Sequence, residues 1–316
     1  MINMSVCLVT GGSGFIGSHL CEYLINKGNK VICVDNLITG NFDNVSGIKD
    51  SESFKFINED VCKLISIDEQ NINCIYHLAS PASPKDFQPL SLEILSVGSI
   101  GTLNMLSLAQ KYNARILIAS SSEVYGDPHV HPQKETYWGN CNPIGIRGVY
   151  DESKRFSEAC VMAYHRRYKT QVHIARIFNT YGPKMRELDG RVIPNFITQA
   201  LNNEPLTIYG DGSQMRSFCY ISDMVKGLVK LMDSDYNMPV NIGNPNEICV
   251  KDVATIICDI VGNKPEFRFL PLPEDDPKRR LPDITIAKNI LNWAPEIDLQ
   301  TGLKETIKFF SSIKII

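Results

Sequence analysis

The first part of the chain alternates short apolar runs with stretches in which apolar residues recur at helical spacing. The short runs are rich in β-branched residues, which is typical of buried strands. One intervening stretch, 18–26, places its apolar residues on one side of a helix. Strands that alternate with helices predict an α/β fold built on a doubly wound parallel sheet. The predicted strands are Val6–Thr10, Lys30–Val34, Phe54–Ile57, 74–78, 115–119 and Val172–Ile177.

From position 179 onward the pattern changes to mixed helices, short strands and turns. Pro183, Pro194, Pro205, Gly210 and Gly212 punctuate it. We predict a main domain over 1–178, with returns at about 217–245, and a smaller mixed α/β lobe over 179–316 on its C-terminal side. The lobe is discontinuous because the runs 218–232 and 240–243 are predicted to rejoin the main domain. A helix over 301–310 is predicted to close the chain.

Composition narrows the class of protein. The chain has 316 residues, a formal charge of −3 and 43% hydrophobic residues, which fits one large or two closely joined globular domains. There is no basic block, so no nucleic-acid partner is expected, and no apolar run that we judge long enough to span a membrane. The first strand begins almost at the initiator methionine and leaves no room for a secretion signal, so we expect a cytoplasmic protein.

The ten cysteines are scattered through apolar segments, as at Cys7, Cys33, Cys74 and Cys258. None shows paired Cys-x-x-Cys spacing. This pattern is typical of small core residues in a protein without a leader sequence. We therefore expect no metal site.

The first predicted strand runs directly into a glycine-rich turn, which reads Thr-Gly-Gly-Ser-Gly-Phe-Ile-Gly over 10–17. Glycines allow a tight turn, let a diphosphate approach the amides that open the next helix, and let that helix pack closely on the sheet. A strand, glycine turn and helix in this order indicate a dinucleotide-binding domain of the Rossmann type. The residues of this turn that we assign to the cofactor are Gly11, Gly14, Phe15, Ile16 and Gly17.

Asp35, at the end of the second strand, indicates that the cofactor is NAD. A carboxylate at this distance from the glycine turn accepts hydrogen bonds from the adenosine ribose. It would also repel the 2′-phosphate of NADP, and no arginine follows it to compensate. Ligands gather at the carboxyl ends of strands in such sheets, so residues after the second, third and fourth strands are also assigned to NAD. They are Asn36, Thr39, Gly40, Asp60, Val61, Leu78, Ala79 and Ser80, and Tyr150 and Lys154 are assigned to NAD as well.

Tyr150 and Lys154 are the candidates for acid–base chemistry. On a helix their spacing of four puts them on one face, where an ammonium lowers the pKa of a phenol towards the working range. The spacing alone is weak, because Tyr23 and Lys27 repeat it at what we expect to be a solvated helix end.

Ser121 and Glu123 are expected beside Tyr150, because the fifth strand delivers them to the edge where the Tyr150 helix should begin. NAD, a hydroxyl donor and a lysine-activated tyrosine in one site favour hydride transfer at a secondary alcohol. The role of Glu123 is left open. His77, which ends the fourth strand beside apolar residues, is interpreted as a structural hydrogen-bonding group rather than a base.

The glycine turn, Asp35 and the Tyr150–Lys154 pair together resemble the extended short-chain dehydrogenase/reductase family of NAD-dependent epimerases and dehydratases. A narrower resemblance, to the UDP-glucuronate decarboxylases or UDP-xylose synthases, extends from the first strand to about Trp293. Its motifs are His-Leu-Ala-Ser-Pro-Ala-Ser-Pro at 77–84, Ser-Glu-Val-Tyr-Gly-Asp-Pro at 122–128, Val-His-Pro-Gln at 130–133, Tyr-Trp-Gly-Asn at 137–140, Tyr-Asp-Glu-Ser-Lys-Arg at 150–155, Arg-Ile-Phe-Asn-Thr-Tyr-Gly-Pro at 176–183 and Asp-Gly-Arg-Val at 189–192.

The resemblance implies an enzyme that oxidises C4 of UDP-glucuronate with NAD, releases carbon dioxide and reduces the keto product to UDP-xylose. It implies that Arg280 holds the substrate carboxylate or diphosphate, the alternative being a basic surface patch with Lys278 and Arg279. It also implies a homodimer paired through the helix of about 90–112 and the Tyr150 helix. The catalytic residues would be Tyr150, Lys154, Ser121, Glu123 and Arg280, and the substrate-binding residues Asn179, Arg191, Tyr209, Arg216 and Arg280.

Two positions depart from the family pattern. Gly98 stands where most extended members carry an asparagine in the helix before the fifth strand, and Ile146 stands where this family usually has proline. The first departure removes a side chain that relays protons in relatives. The second touches only the entry to the Tyr150 helix.

Other functions remain open at this point. A UDP-sugar 4-epimerase uses the same tyrosine, lysine and NAD, so the spacing does not separate it from a decarboxylase. A 4,6-dehydratase is disfavoured, because these enzymes read Thr-Asp-Glu where this chain has Ser-Ser-Glu at 121–123. An NAD-sensing regulator without chemistry would not need Tyr150, Lys154 and Ser121 together, so their joint presence favours an enzyme.

Overall fold

A seven-stranded parallel sheet forms the centre of the structure, a computed structural model that describes residues 4–272 and 279–313. Every neighbouring pair of strands in it is parallel, which confirms the predicted doubly wound α/β fold. Across the sheet the strands are β11 (Pro239–Ile242), β6 (Val172–Ile177), β5 (Arg115–Ser121), β4 (Cys74–His77), β1 (Val6–Thr10), β2 (Lys30–Val34) and β3 (Phe54–Ile57).

Alternate residues of each strand face opposite layers of helices. In β1, Cys7 and Val9 belong to the core under α1 (Phe15–Asn26) and α6 (Ile221–Asp233), whereas Leu8 belongs to the core under α3 (Thr102–Tyr112) and α4 (Gly148–Tyr168). Both faces of the sheet are therefore buried. This explains why the strands read as nearly continuous apolar runs in the sequence.

Predicted boundaries differ from the observed ones by a few residues. The first helix begins at Phe15, three residues earlier than predicted, because the glycine turn already forms its start. Strand β5 continues to Ser121, two residues beyond the prediction, since its ladder with β6 extends to the pair Ser121 and Ile177. This extension places Ser121 at the carboxyl edge of the sheet, where the parallel strands end.

The helical run Ser91–Tyr112 consists of α2 (Ser91–Ser96), a π-helical turn (Val97–Gly101) and α3. The π turn brings Gly98 directly against α4. A Cβ atom on Gly98 would lie 2.6 Å from the Cβ of Ser153. Position 98 therefore has no room for an asparagine while Ser153 is present.

This same run is long and apolar enough, by length and composition, to cross a membrane. The prediction that no run reaches that length was therefore wrong. Small polar residues interrupt the apolar pattern of this run, but it carries too few charged residues to be excluded as a membrane span. In the structure 44% of the apolar window is buried within the protein, and core helices of globular proteins pass the same test.

The smaller lobe has its own core, formed mainly by three helices and a parallel strand pair. Its elements are α5 (Val192–Leu201), α7 (Val250–Val261), α9 (Leu299–Ile313) and the pair β8 (Leu206–Tyr209) with β13 (Phe267–Leu270). A mixed sheet joins β9 (Met215–Ser217) to β12 (Glu247–Cys249) and β14 (Arg279–Arg280), and β7 (Thr180–Tyr181) pairs with β10 (Cys219–Tyr220). Helix α8 (Thr285–Leu291) packs instead on α6 and β11, in the core of the main sheet.

Two segments that follow the start of this lobe rejoin the main sheet. Helix α6 packs on α1, and β11 pairs with β6. The division of the chain into domains at 178/179 stays a prediction.

Candidate active site

A cleft of about 850 Å³ opens at the carboxyl edge of the central sheet and is lined from both the sheet and the smaller lobe. Parallel strands end together at this edge, so residues distant in sequence meet there. Every residue that we assigned to cofactor, substrate or catalysis lines the cleft. These are Gly11, Gly14, Phe15, Ile16, Gly17, Asp35, Asn36, Thr39, Gly40, Asp60, Val61, Leu78, Ala79, Ser80, Ser121, Glu123, Tyr150, Lys154, Asn179, Arg191, Tyr209, Arg216 and Arg280.

The glycine turn forms a backbone cradle that side chains would fill. Gly11 has φ of +69°, and a Cβ on it would lie 2.8 Å from the backbone of Ala79. A Cβ on Gly17 would lie 2.1 Å from the carbonyl oxygen of Gly11. Gly14 offers no capping side chain to the first turn of α1, and that turn holds no acidic residue. The backbone amides of this first turn are thus suited to bind an anionic diphosphate.

Asp35 lies beside this cradle, 8% exposed. Its two carboxylate oxygens each accept a hydrogen bond of 2.9 Å, from the backbone N–H groups of Ser13 and Leu37. Burial raises the pKa of Asp35, and these hydrogen bonds oppose the rise. Each carboxylate oxygen has a second lone pair, so the side chain can still accept from ribose hydroxyls.

His77 is held by hydrogen bonds on both ring nitrogens, with Thr10 at 2.8 Å and Thr102 at 3.4 Å. Burial, with the Lys154 ammonium as a second cause, lowers the pKa of His77 to about 3. The ring therefore stays neutral, and the interpretation of His77 as a structural group is confirmed.

Tyr150 is 6% exposed and lies on α4 with its ring stacked on Phe87. The ring centroids are 4.9 Å apart and the planes differ by 14°. The Ser121 side chain lies near enough to the phenol to act on its pKa, and its oxygen accepts from the Glu123 backbone N–H at 3.2 Å. The structure thus brings together the tyrosine and serine that the sequence assigned to one site.

The pKa of the Tyr150 phenol was expected to be lowered by Lys154, but the groups of the chain itself do not lower it. Burial raises the pKa of Tyr150 to about 12, although the neighbouring Ser121 side chain opposes the rise. The Lys154 ammonium lies 5.4 Å from the centre of the Tyr150 ring and donates instead to the carbonyl of Ala119 at 3.0 Å. Burial also lowers the pKa of Lys154 to about 8. At Tyr150 desolvation outweighs the charge of Arg191, and the charges of Glu123 and Asp151 add to the rise in pKa.

Glu123 is the acidic centre of an arginine cluster. It forms ion pairs with Arg147 and, at 3.1 Å, with Arg280. Burial alone would raise the pKa of Glu123, but Arg280, Arg147 and then Arg216 hold it down at about 2. Glu123 is therefore ionised at neutral pH and is not a proton donor in this arrangement.

Arg280 is 2% exposed and donates to the carbonyl of Ser122 at 2.9 Å. Its Nε atom is buried and has no hydrogen-bond partner among the described residues. The strand pairing of β14 with β9 sets Arg280 next to Arg216, its register partner. Two guanidinium groups on adjacent strands suit an anionic ligand such as a carboxylate or a diphosphate.

Arg191 reaches the cleft already paired with Asp189, which accepts from it through both carboxylate oxygens. The neighbouring Arg186 binds Asp86, and the Asp189 carbonyl accepts from Ser83. These contacts join the loop after β4 to the loop after β7 and orient the Arg191 guanidinium.

Asn179 and Tyr209 complete the predicted substrate-binding set. Asn179 follows β6, and its backbone carbonyl accepts from the Cys219 N–H at 2.9 Å. Tyr209 ends β8 and is 42% exposed. Arg279, in contrast, is turned outward and pairs with Glu247 at 2.7 Å. Lys278 lies outside the described residues.

Sequence reasoning missed three residues of the site. Phe87 lies in a loop without periodicity, and nothing in its neighbours marks it as a stacking partner for Tyr150. Asp189 was quoted only as part of a motif, although a carboxylate two residues before Arg191 was a usable signal. Arg147 precedes Tyr150 by less than one helical turn, and its position at the helix start was a second usable signal.

Among residues 4–272 and 279–313, no group of three or more His, Cys, Asp or Glu side chains is arranged to hold a metal ion. The ten cysteines all lie within these ranges and are free thiols.

Comparison with known proteins places the chain among nucleotide-sugar enzymes. Residues 8–306 match the family model described as GDP-mannose 4,6 dehydratase. The chain is 50% identical over 304 residues to UDP-glucuronic acid decarboxylase 1 of Danio rerio, and the match covers 96% of this chain and 72% of that protein.

Solved structures with the same fold include two epimerases. One is UDP-N-acetylglucosamine 4-epimerase of Methanobrevibacter ruminantium in complex with UDP-N-acetylmuramic acid, with a TM-score of 0.89, 30% identity and coverage of 99% of this chain and 100% of that one. The other is UDP-glucuronic acid 4-epimerase of Bacillus cereus in complex with UDP-glucuronic acid and NAD, with a TM-score of 0.85, 28% identity and coverage of 98% and 99%.

Proposed function

This chain belongs to the family of UDP-glucuronic acid decarboxylases, within the extended short-chain dehydrogenases/reductases, and we propose that it converts UDP-glucuronate to UDP-xylose and carbon dioxide. The proposal rests on one observation: a buried Tyr150–Ser121 pair and the arginine cluster around Glu123 lie in the same cleft. The tyrosine and serine suit oxidation of a sugar hydroxyl, and the arginines suit binding of an anionic sugar acid.

The cofactor is NAD. The glycine cradle, the open amides at the start of α1 and the Asp35 carboxylate fit its diphosphate and adenosine ribose. Held by these residues, NAD would supply the hydride acceptor for oxidation at C4 and the hydride donor for the final reduction.

Side chains of the protein remove the proton from the C4 hydroxyl of the sugar. Tyr150 takes the proton of the C4 hydroxyl, and Ser121, whose side chain lies near the phenol, orients both oxygens. Phe87 covers one face of the Tyr150 ring and keeps water from it. Lys154 supplies a positive charge behind the ring and stabilises the phenolate that forms.

Release of carbon dioxide needs little further catalysis, because the C6 carboxylate lies β to the C4 ketone. The protonated Tyr150 then donates a hydrogen bond to the oxygen of the resulting enolate, and protonation at C5 followed by return of the hydride to C4 completes the cycle. Arg280 has a buried N–H without a partner among the described residues and is suited to hold the substrate carboxylate before it leaves. Glu123 is ionised and keeps the Arg147 and Arg280 guanidinium groups in place.

Incubation of the protein with UDP-glucuronate, followed by NMR and mass spectrometry of the product, tests the proposal. We expect UDP-xylose and one carbon dioxide for each substrate consumed, with no added NADH required. Formation of UDP-galacturonate would instead identify a 4-epimerase. If a 4-keto pentose and released NADH are found, the oxidation and decarboxylation steps stand but the final reduction is contradicted. Bound NAD without any turnover would indicate a regulator.

We also propose that the protein is a cytoplasmic homodimer paired through Ser91–Tyr112 and α4. Leu95, Leu103 and Phe156 are exposed on these helices, and a second copy would remove them from water. Light scattering should give twice the chain mass of 35.4 kDa. Leu103→Asp should yield a monomer, whereas Leu64→Asp, at an exposed leucine outside these helices, should leave a dimer.

A further inference from the structure

Two thiols meet at the edge of the central sheet opposite the cleft. Cys7 in β1 and Cys74 in β4 are register partners on neighbouring parallel strands, so their side chains project from the same face of the sheet. Neighbouring strands lie about 4.8 Å apart, within the Cα separation of about 4.4–6.8 Å that disulfides adopt. Both side chains belong to the same apolar core, in which Cys74 packs against the cluster that contains Cys7. A disulfide would therefore need only a small approach of the Cβ atoms.

The two sulfurs differ in access. Cys7 is 3% exposed, whereas Cys74 lines a second cavity of about 580 Å³ together with Arg115 and Asp233. Arg115 is also the register partner of Cys74 on β5. The neighbouring Cys7 thiol and the charge of Arg115 lower the pKa of Cys74, against burial and Asp233. The neighbouring Cys74 thiol and burial raise the pKa of Cys7.

We propose that Cys7 and Cys74 form a reversible oxidation site in which a hydroperoxide converts the two thiols to a disulfide. The Cys74 thiolate attacks the hydroperoxide. An S–O bond forms, the O–O bond breaks, and the departing alkoxide or hydroxide takes a proton from water. Cys7 then attacks the Cys74 sulfenic acid, the S–S bond forms, and the S–O bond breaks with loss of water. The thiol pair loses two electrons and the hydroperoxide gains them.

A second pair of thiols, which lie close together but are not accessible to a hydroperoxide, provides an internal control. The sulfurs of Cys21 and Cys33 also lie close together, since a Cβ on Gly12 would be 3.2 Å from the first and 2.4 Å from the second. Both side chains are fully buried and line neither cavity. If contact alone were enough, both pairs would oxidise at similar rates.

The test is timed exposure of the full chain to a small excess of hydrogen peroxide, followed by alkylation and peptide mass mapping. We expect a loss of about 2 Da as a Cys7–Cys74 disulfide, formed at least about tenfold faster than Cys21–Cys33 and reversed by dithiothreitol. In Cys7→Ala, Cys74 should stop at a sulfenic acid that dimedone traps. In Cys74→Ala, Cys7 should stay reduced.

Several results would overturn the proposal. These are equal oxidation rates for the two thiol pairs, oxidation of Cys74 to sulfinic acid while Cys7 remains a thiol, or no disulfide at all under conditions that oxidise exposed cysteines. Circular dichroism verifies that each variant is folded, and Cys7→Ser and Cys74→Ser replace any alanine variant that is not. Cys21→Ala should leave the Cys7–Cys74 reaction unchanged.

Discussion

Arg280 and Glu123 form an ion pair of 3.1 Å between residues 157 positions apart, and Arg280 is 2% exposed. The pair ties the short strand β14 to the turn after β5, beside the phenol of Tyr150. A buried guanidinium with an unused N–H in a cleft is a costly arrangement unless a ligand completes it. This favours an anionic substrate group at Arg280.

Replacing Arg280 by alanine should therefore lower kcat/KM for UDP-glucuronate by at least about 100-fold, because a charge-assisted contact is lost and Glu123 loses a partner. Arg279→Ala is the matched control, since the neighbouring side chain is 53% exposed and pairs with Glu247. Steady-state kinetics of both variants should show a loss at Arg280 alone. Similar small effects for both would support a mere basic patch.

Tyr150→Phe should abolish oxidation at C4, because the phenolic oxygen that takes the substrate proton is the only atom removed. We expect turnover to fall by about 10²–10⁴-fold, the usual contribution of a general base. The Phe87 stack remains, so NAD and UDP-sugar affinities measured by calorimetry should change by less than about threefold. Tyr23→Phe, at the other tyrosine with a lysine four positions on, is the control and should keep full activity. Near wild-type turnover of Tyr150→Phe would contradict the assignment.

Asp35 should decide between the two nicotinamide cofactors. The 2′-phosphate of NADP would approach a buried carboxylate, whereas NAD offers hydroxyl donors in the same place. Calorimetric titration of the cofactor-stripped protein should show NAD binding at least about tenfold tighter than NADP, or about 1.4 kcal/mol. Asp35→Asn should narrow the difference. Equal affinities of the wild type would contradict the role of Asp35.

Much of this fold could be predicted because its signals are local. The glycine turn, the apolar strands and the ends of those strands follow from neighbouring residues, and parallel strands then bring their ends to one edge. All the predicted site residues consequently line one cleft.

The electrostatics of the site could not be predicted in the same way. The pKa of Tyr150 depends on how deeply Phe87 and the sheet bury the phenol, and burial reverses the direction that the lysine spacing suggested. The partners of Arg191 and Arg280 depend on which loops meet across the cleft. Such contacts join residues that are far apart in sequence, where no local pattern carries information.

Gly98 and Ser153 should behave as one packing unit. Gly98→Ala would place its Cβ 2.6 Å from that of Ser153 and 3.0 Å from the Ser153 carbonyl oxygen, so we expect a loss of about 1–3 kcal/mol of unfolding free energy. Adding Ser153→Gly removes the clashing atom and should recover part of that loss. Urea unfolding of the two single variants and the double variant gives the coupling energy, expected to be at least about 1 kcal/mol.

The matched control for this cycle is Gly101→Ala in the same π turn. Its added Cβ would meet mainly methyl groups of Val61 and Val97, which can move. It should cost less than Gly98→Ala and show no coupling to Ser153→Gly. Additive effects of Gly98→Ala and Ser153→Gly would refute the packing pair.

Asp151 should make the stability of the protein depend on pH. It is 4% exposed, and its Oδ1 atom has no hydrogen-bond partner among the described residues. Burial, and then repulsion from Glu123, raise the pKa of Asp151 to about 7, although Arg147 and Arg280 oppose the rise. The folded state therefore holds the proton more tightly than the unfolded state, whose pKa is about 3.9.

The sign of the effect follows from this difference. Below about pH 4 both states are protonated and Asp151 costs nothing, whereas the cost grows as pH rises from about 4 to about 7 and is then constant. Asp151→Asn, which cannot ionise, should raise the free energy of unfolding by about 2 kcal/mol more at about pH 8 than at about pH 5.5. Denaturant unfolding at the two pH values measures it. Glu152→Gln is the control, because Glu152 is 40% exposed and forms only a 3.4 Å pair with Arg155. A gain from Asp151→Asn that is the same at both pH values would show that Asp151 does not titrate between them.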